Sequence, residues 1–447
     1  MKRKLLIFII AALTLCLLIT LALFLDGERK TLAPVSGQTA ETPGHAPLPA
    51  SGPSAEETAE TSEESAPLPT GEPQYGARQL ELTADTNAVA FHALFDENYY
   101  TDYTFPAGTA LTLTAGEKIV SLYIVFGTYP GEWTLTAGGT QQLCGRDGYL
   151  HEFVALASPS ATVEIALSAE KAVMIRDIYA FSEGYLPSFV QTWQTLEGGA
   201  DILVFSTHYD DELLFFGGLI PYYSAVRGAR VQVAYMTSNY LTDFSNYRFR
   251  QHEALNGLWI AGTHFYPVTN EVPDYECTSY WDAVSNYGED QFVEFQVEQI
   301  RRFKPLVVVT QAEDGEYGHG AHILTALSVE RAVEAAADPA QFPASAERYG
   351  VWDTPKTYLH YYGDPDEITW LSYEMPAEAL GWKSPFQTAQ EAYRQHMTQQ
   401  QWEGFYVYGF FHPYDCHRMG LYRSLVGPDE AKNDLLEHVS RERFPFE

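Results

Sequence analysis

Two short segments of the chain bring histidine and carboxylate side chains close together. Residues 208–212 read His-Tyr-Asp-Asp-Glu, and residues 319–322 read His-Gly-Ala-His. Crowded carboxylates are costly unless a cation shares their site. Two imidazoles and one carboxylate can hold Zn²⁺ and leave a position open for water. A further carboxylate can take a proton from that water, and a further imidazole can stabilise a developing oxyanion, so the pattern indicates metal-assisted hydrolysis.

Both segments follow apolar runs that are typical of buried parallel strands, at residues 201–206 and 306–310. Helical periodicity follows each run, over residues 212–226 and 321–337, and another apolar run covers residues 231–236. Strands that alternate with helices predict an α/β fold with a Rossmann-like, doubly wound, mostly parallel sheet. Because ligands bind beyond the carboxyl ends of such strands, we expect the two histidine segments to meet there.

The predicted catalytic domain covers residues 198–447, and three regions of different composition precede it. Residues 1–25 contain an uncharged apolar run that is long enough to cross a bilayer, which favours an uncleaved transmembrane helix over a cleaved signal peptide. Residues 26–75 are rich in Pro, Ser, Thr, Ala and Glu, and are expected to be a disordered linker. Residues 76–190 show short alternating runs separated by turns, which predict an all-β sandwich domain with an accessory role, such as carbohydrate binding.

The charge pattern leads to predictions about location and partners. Lys2, Arg3 and Lys4 place the N-terminus in the cytoplasm by the positive-inside rule. This predicts a single-pass protein of the cell membrane with extracellular C-terminal domains, or a secreted protein if the apolar segment is cleaved. The formal net charge is -32, so we do not expect nucleic acid as a partner. The four cysteines lack Cys-x-x-Cys spacing, which argues against a cysteine-rich zinc module.

A weaker cluster lies at residues 411–417, which read Phe-His-Pro-Tyr-Asp-Cys-His. These residues include metal-ligand types and could form a second metal site. The proline and the aromatic residues favour a turn with scattered polar side chains instead.

The two histidine segments resemble those of the PIG-L (LmbE-like) family, zinc-dependent de-N-acetylases of N-acetylglucosaminyl substrates. The family's His-Pro-Asp-Asp-Glu corresponds to residues 208–212, and its His-Pro-Asp-His corresponds to residues 319–322. Residues 250–253 resemble the family's Arg-x-x-Glu, and residues 396–399 resemble a late His-x-Ser-Gln. The resemblance covers roughly residues 198–401.

The resemblance implies a role for each matching position. The implied zinc ligands are His208, Asp211 and His322. Asp210 would be the general base, and His319 would stabilise the oxyanion or act as an acid. Arg250 would bind substrate hydroxyls. Another divalent transition metal could also occupy such a site.

The chain departs from the family pattern at two positions. Tyr209 replaces a proline, which we expect to change the rigidity of the loop more than the chemistry. Ala321 replaces an aspartate between the two histidines. If that aspartate orients an imidazole, its loss weakens the enzyme unless an acidic residue of the adjacent loop substitutes for it. The three acidic residues that could do so are Glu313, Asp314 and Glu316.

The sequence therefore predicts an enzyme that releases acetate from an N-acetylglucosamine-containing glycan or glycolipid at the outer cell surface. A second interpretation is a non-catalytic, glycan-binding surface protein with a degenerate deacetylase domain, which Ala321 and the attached β domain would favour. A third keeps the hydrolysis but changes the acyl group to a longer chain.

Overall fold

The computed structural model describes residues 76–85, 91–98, 100–239, 248–400 and 404–446. The predicted anchor, residues 1–25, and the predicted linker, residues 26–75, lie outside these ranges. None of the described helices is long and apolar enough to cross a membrane. The prediction of a single-pass membrane protein with extracellular C-terminal domains is wrong by this finding.

The first sheet lies in the N-terminal part of the described chain. Its strands are β1 (Leu82–Asp85), β2 (Tyr103–Phe105), β3 (Ala110–Phe126), β4 (Trp133–Ala137), β5 (Thr140–Cys144), β6 (His151–Ala166) and β7 (Val173–Phe181). All pairings are antiparallel, in the order β2-β7-β3-β6-β4-β5, with β1 paired to β3. Register shifts interrupt the pairing of the long strands β3 and β6, which is typical of bulges that bend a sheet. The structure describes one continuous sheet here, so the predicted sandwich of two sheets is not confirmed.

The second sheet follows along the chain. Its strands are β8 (Ile202–Ser206), β9 (Val231–Tyr235), β10 (Val268–Thr269), β11 (Val307–Thr310), β12 (Lys356–His360), β13 (Thr369–Trp370) and β14 (Arg418–Ser424). They lie in the order β10-β9-β8-β11-β12-β14-β13. The strands from β10 to β12 pair in parallel, whereas β14 pairs antiparallel with both β12 and β13. The predicted α/β fold with a mostly parallel sheet is confirmed, and its antiparallel strands lie at one edge.

Helices cover both faces of the second sheet. The α-helices are α1 (Asp211–Leu214), α2 (Phe249–Ile260), α3 (Tyr280–Tyr287), α4 (Glu289–Phe303), α5 (Gly315–Gly318), α6 (Gly320–Ala335), α7 (Pro343–Tyr349) and α8 (Pro385–Tyr393). Along β8, Ile202 and Val204 join a core cluster that includes residues of α2, whereas Leu203 and Phe205 join a cluster with residues of α4 and α6. A strand whose two faces are both buried in this way is what a doubly wound sheet requires.

The helix predicted over residues 212–226 is interrupted in the structure. It is present as the single turn α1 and a π-helical segment at Pro221–Val226. Between them, Gly217 has a φ of 43°, and a Cβ at this residue would lie 2.4 Å from Sγ of Cys416. The left-handed backbone at Gly217 interrupts the helix, and the close approach of Cys416 leaves no room for a side chain there, which local periodicity could not reveal.

Candidate active site

The two histidine segments meet at the carboxyl edge of the parallel sheet. Strand β8 pairs with β9 on one side and with β11 on the other, so the chain leaves β8 at the point where the strand order reverses. Residues 207–210 follow β8, and residues 311–319 follow β11. Because β8 and β11 are parallel, both loops leave the sheet at the same edge.

Three donor atoms converge at this edge. Nδ1 of His208 lies 2.9 Å from Oδ2 of Asp211 and 3.1 Å from Nε2 of His322, and the last two atoms are also 3.1 Å apart. Each of the two ring nitrogens carries at most one proton to donate, so the three mutual contacts cannot all be linear hydrogen bonds at the same time, and a shared cation would account for them better. The donor set fits a divalent transition metal, which these three residues would hold.

The outer nitrogens of the two imidazoles each face a carboxylate. Nε2 of His208 lies 3.4 Å from Oδ1 of Asp274, and Nδ1 of His322 lies 2.9 Å from Oε2 of Glu316. Carboxylates in this position orient metal-ligating histidines. Burial opposes charging of His208, but Asp274 and Asp211 together raise its pKa to about 10. The site therefore favours positive charge at this point, carried either by protons or by a metal ion.

Asp210 combines a strained backbone with a carboxylate that does not cap a helix. Its φ is 132°, far from the values that non-glycine residues usually adopt, and its side chain makes no capping hydrogen bond to α1. The backbone N–H donates to Oε2 of Glu212 at 3.0 Å, which holds the strained residue in place. Burial raises the pKa of Asp210 to about 7 against the opposing effect of Arg250. This carboxyl group can thus exchange a proton near neutral pH.

Arg250 lies behind these acidic groups at the start of α2. Its Nη1 donates to Oδ2 of Asp274 at 2.9 Å, and its Nη2 lies 3.1 Å from the carbonyl oxygen of Tyr209 and 3.3 Å from Oδ1 of Asp210. The guanidinium is buried, so it holds two carboxylates in position. Its predicted contact with substrate hydroxyls stays a prediction.

His319 lies beside the three donor residues and offers one possible ligand atom within 4.8 Å of those of His208 and His322. Its ring centroid is 4.9 Å from that of His208 and 4.7 Å from that of His322. Its Nδ1 is buried and has no hydrogen-bond partner among the described residues. Burial, and then the two neighbouring histidines, lower the pKa of His319 to about 2. The ring is therefore neutral and keeps one N–H to donate.

A comparison with known families agrees with this geometry. Residues 203–333 match the family model described as PIG-L, GlcNAc-PI de-N-acetylase. This chain carries a PIG-L domain. The match contains both histidine segments, so the predicted family is confirmed, and with it the prediction of a deacetylase-type hydrolase.

Curated relatives of the PIG-L domain carry one name, 1D-myo-inositol 2-acetamido-2-deoxy-alpha-D-glucopyranoside deacetylase. The relative from Geodermatophilus obscurus is 28% identical over 211 residues, which are 41% of this chain and 68% of the relative. The relative from Rhodococcus erythropolis is 30% identical over 179 residues, which are 35% of this chain and 59% of the relative. The solved N,N'-diacetylchitobiose deacetylase from Pyrococcus horikoshii is 17% identical, with a TM-score of 0.34, over 45% of this chain and 71% of that chain.

The PIG-L domain is completed by a segment beyond the family match. Glu253 accepts hydrogen bonds from the backbone N–H of Thr398 at 2.9 Å and from its hydroxyl at 2.7 Å. In the amide orientation that satisfies its neighbours, Gln399 accepts from Nε of Arg250 at 2.7 Å. The two weaker motifs noted in the sequence, residues 250–253 and 396–399, therefore bind each other and fix the start of α2.

Several residues that support the PIG-L site were not singled out from the sequence. Asp274 follows β10, whose two residues are too short to show strand periodicity. Gln311 directly follows β11 and donates to Oδ2 of Asp211 at 3.0 Å.

Two residues that the sequence did single out have defined positions. Glu316, one of the three acidic residues considered as substitutes, faces His322 rather than His319. Tyr209 packs its ring on Tyr235 and so stays out of the metal centre.

Aromatic rings surround the PIG-L site beyond the two histidine segments. Tyr317, 44% exposed, has its ring centroid 5.4 Å from that of His322 and 5.7 Å from that of His319. The rings in contact with Tyr317 are those of Phe215, Phe405 and Tyr414. Together they form an aromatic wall beside the donor atoms.

The weaker cluster at residues 411–417 forms a separate group. The two nitrogens of His417 face Asp415 at 2.5 Å and Glu374 at 2.6 Å. The ring of Phe410 stacks on His417 with the centroids 4.2 Å apart. Both nitrogens of the histidine therefore have partners. Asp415, Cys416 and His417 also place one possible ligand atom each within 4.8 Å of one another, so the interpretation as a turn stays a prediction.

Proposed function

We propose that the chain is a zinc-dependent de-N-acetylase that hydrolyses the acetamide of an N-acetylglucosamine-containing saccharide. The observation that carries the proposal is the convergence of Nδ1 of His208, Nε2 of His322 and Oδ2 of Asp211 beside the carboxyl group of Asp210. The names of the curated relatives, deacetylases of an acetamido-glucopyranoside, support the same reaction for this chain.

The side chains divide the proton transfers between them. Bound zinc would polarise the acetamide carbonyl and lower the pKa of a water molecule. Asp210 takes the proton of the attacking water onto its carboxylate, and Arg250 and the Glu212 contact keep that carboxylate in place. The neutral ring of His319 donates its N–H to the carbonyl oxygen as negative charge develops there. The proton held on Asp210 then passes to the leaving nitrogen, so acetate and a free amine result.

The aromatic wall supports a saccharide as the substrate. Pyranose rings have an apolar face that can pack against aromatic side chains. Tyr317 has both the exposure and the position for such a contact, because it lies next to His319 and His322. A glycan or glycolipid with a terminal N-acetylglucosamine could place its acetamide at the donor atoms while its ring packs on this wall.

The proposal is tested with the full chain by measuring bound zinc and acetate release from N-acetylglucosaminyl inositol, diacetylchitobiose and longer N-acetylglucosamine oligomers. We expect release by the wild type, a loss of about 10²-fold or more for Asp210→Asn with zinc retained, and loss of zinc for Asp211→Asn. A series of acyl lengths on one sugar identifies the preferred amide. Bound zinc with no release from any substrate, and glycan binding that Asp210→Asn leaves unchanged, would favour the non-catalytic glycan-binding protein instead.

A further inference from the structure

A cavity lies between the antiparallel sheet and the C-terminal part of α2, apart from the two histidine segments. Its volume is about 630 Å³, within the range of about 300–1,000 Å³ that is usual for pockets that bind small ligands. The sheet contributes Tyr123, Asp177 and Tyr179 to its lining, and α2 contributes Trp259 and Ile260. We call it the interdomain pocket. None of the residues assigned to the metal centre lines it.

Aromatic rings form one part of the interdomain pocket. Phe189 is 45% exposed although it is large and apolar, and its ring centroid is 5.3 Å from that of Tyr179 and 6.4 Å from that of Tyr123. Trp259 forms part of the wall on α2, where its indole N–H donates to the carbonyl oxygen of Ser188. Such rings can pack against a sugar ring or below an ammonium group.

Carboxylates form the polar part of the pocket. Asp177 is only 2% exposed, and its Oδ1 accepts from the backbone N–H of Glu97 at 3.1 Å. The side chain of Glu97 also lines the cavity, whereas no Lys or Arg is among the described residues that do so. The nearby Arg176 does not line the cavity: its guanidinium carbon lies 4.3 Å from the ring centroid of Phe249, and its charge offsets only part of the rise in the pKa of Asp177. A buried carboxylate in a cavity without a cationic lining residue favours a positively charged ligand.

The protonation of two lining residues bears on the charge of the pocket. Burial, and then Asp96, raise the pKa of Asp177 to about 7, so this carboxyl group is partly ionised at neutral pH and a bound cation would favour its charged form. Burial lowers the pKa of His151, another lining residue, to about 3, so this histidine adds no positive charge at neutral pH.

Helix α2 connects the interdomain pocket to the metal centre. Arg250 lies in its first turn beside Asp210, and Asn256, Trp259 and Ile260 line the pocket further along the same helix. At 1.5 Å per residue, the two regions are about 9–15 Å apart along the helix axis. An oligosaccharide of a few sugar units can span such a distance.

We propose that the interdomain pocket binds a protonated amino sugar of a partly de-N-acetylated saccharide. This inference rests on the proposed function, because such a sugar is the product of de-N-acetylation. The ammonium group would lie against Asp177 and Glu97, and the apolar face of the sugar ring would pack on Phe189. A saccharide with one free amine would then be held while another acetamide of the same molecule reaches the metal centre.

The test measures equilibrium binding of glucosamine and N-acetylglucosamine tetramers to the full chain by calorimetry. Asp210→Asn serves as the parent protein, because it prevents turnover of the acetylated tetramer. At about pH 7 a substantial fraction of both the amines and Asp177 is charged, and we expect the glucosamine tetramer to bind about tenfold more tightly than the acetylated one. Asp177→Asn keeps the acceptor for the Glu97 N–H and should remove this preference. Phe189→Ala should weaken binding about fivefold, whereas Phe189→Tyr should keep it.

The outcomes separate this proposal from the proposed function. Equal affinity for the two tetramers, or glucosamine affinity that neither Asp177→Asn nor Phe189→Ala changes, would overturn the pocket assignment even if acetate is released. Conversely, a preference for glucosamine that depends on Asp177 and Phe189 supports the pocket even if no acetylated substrate is hydrolysed. Glu164→Gln, which removes an exposed carboxylate of β6 that does not line the pocket, is the matched charge control.

Discussion

The carboxylate of Glu316 binds the outer nitrogen of His322 across the site, with Oε2 2.9 Å from Nδ1. Its other oxygen lies 3.1 Å from Nδ1 of His360 and accepts from the backbone N–H of Ala312 at 2.9 Å. Interactions with the two histidines lower the pKa of Glu316 despite its burial. The charged carboxylate thus turns Nε2 of His322 toward Asp211, as a metal ligand requires.

Replacing this carboxylate should weaken metal binding. We expect Glu316→Gln to lower the zinc affinity by about 10–100-fold, because the amide cannot accept the imidazole N–H with a full negative charge. Competition with a chromogenic chelator measures the affinity. Glu313→Gln changes an exposed carboxylate of the same loop and should leave the affinity unchanged. Equal zinc affinity in wild type and Glu316→Gln would show that His322 is not oriented in this way.

Substitutions of His319 and of His322 should have different effects on zinc binding and on catalysis. His319 has no carboxylate partner at Nδ1 and lies outside the three close donor contacts. We therefore expect His319→Asn to keep stoichiometric zinc and to lower kcat by about 10²–10³-fold, the effect of losing an oxyanion donor. His322→Asn should lose the metal itself. Metal analysis together with steady-state kinetics of both variants decides the assignment, and loss of zinc from His319→Asn would make this residue a ligand.

Metal removal should lower both activity and stability. The donor atoms of His208, Asp211 and His322 lie within 3.1 Å of one another and would share a bound cation. A ligand present at 100 times its Kd stabilises the folded state by about 2.7 kcal/mol. Dialysis against a chelator should abolish acetate release and lower Tm, and added zinc should restore both. Asp211→Asn should show no zinc-dependent change in Tm. An equal Tm with and without zinc in the wild type would contradict the metal centre.

The sequence predicted the parts of the site that follow long apolar runs. Residues 208–212 and 319–322 lie next to β8 and β11, and parallel pairing of these strands brings the segments together, as expected from the α/β pattern. Asp274 could not be found in this way, because β10 has two residues and no periodicity. Arg250 contacts Asp210 and Asp274, which local sequence patterns could not show because tertiary packing brings these residues together. Its implied contact with substrate hydroxyls stays a prediction.

Local sequence patterns also failed to predict the strand lengths in the antiparallel sheet. Alternation within residues 76–190 predicted short strands separated by turns, but the structure contains the long strand β3, which has 17 residues. Pairing with the equally long β6 continues across the bulges, which local patterns do not show. The interdomain pocket depends on this sheet lying against α2, so no sequence motif indicated it.

A buried pair of histidines between β6 and α2 should make the stability of the fold depend on pH. Nε2 of His151 lies 2.7 Å from Nδ1 of His252, and burial lowers the pKa of His151 to about 3. The unfolded chain binds the proton near pH 6.5, so stability is complete above that pH and falls as the pH drops toward 3. At pH 5, the suppressed protonation of His151 should lower the free energy of unfolding by about 2 kcal/mol relative to neutral pH. His151→Gln should reduce the fall in Tm between pH 7 and pH 5. His264→Gln, which replaces an exposed histidine, should leave this fall unchanged. An equal fall in Tm in the wild type and both variants would show that the buried pair does not govern stability in acid.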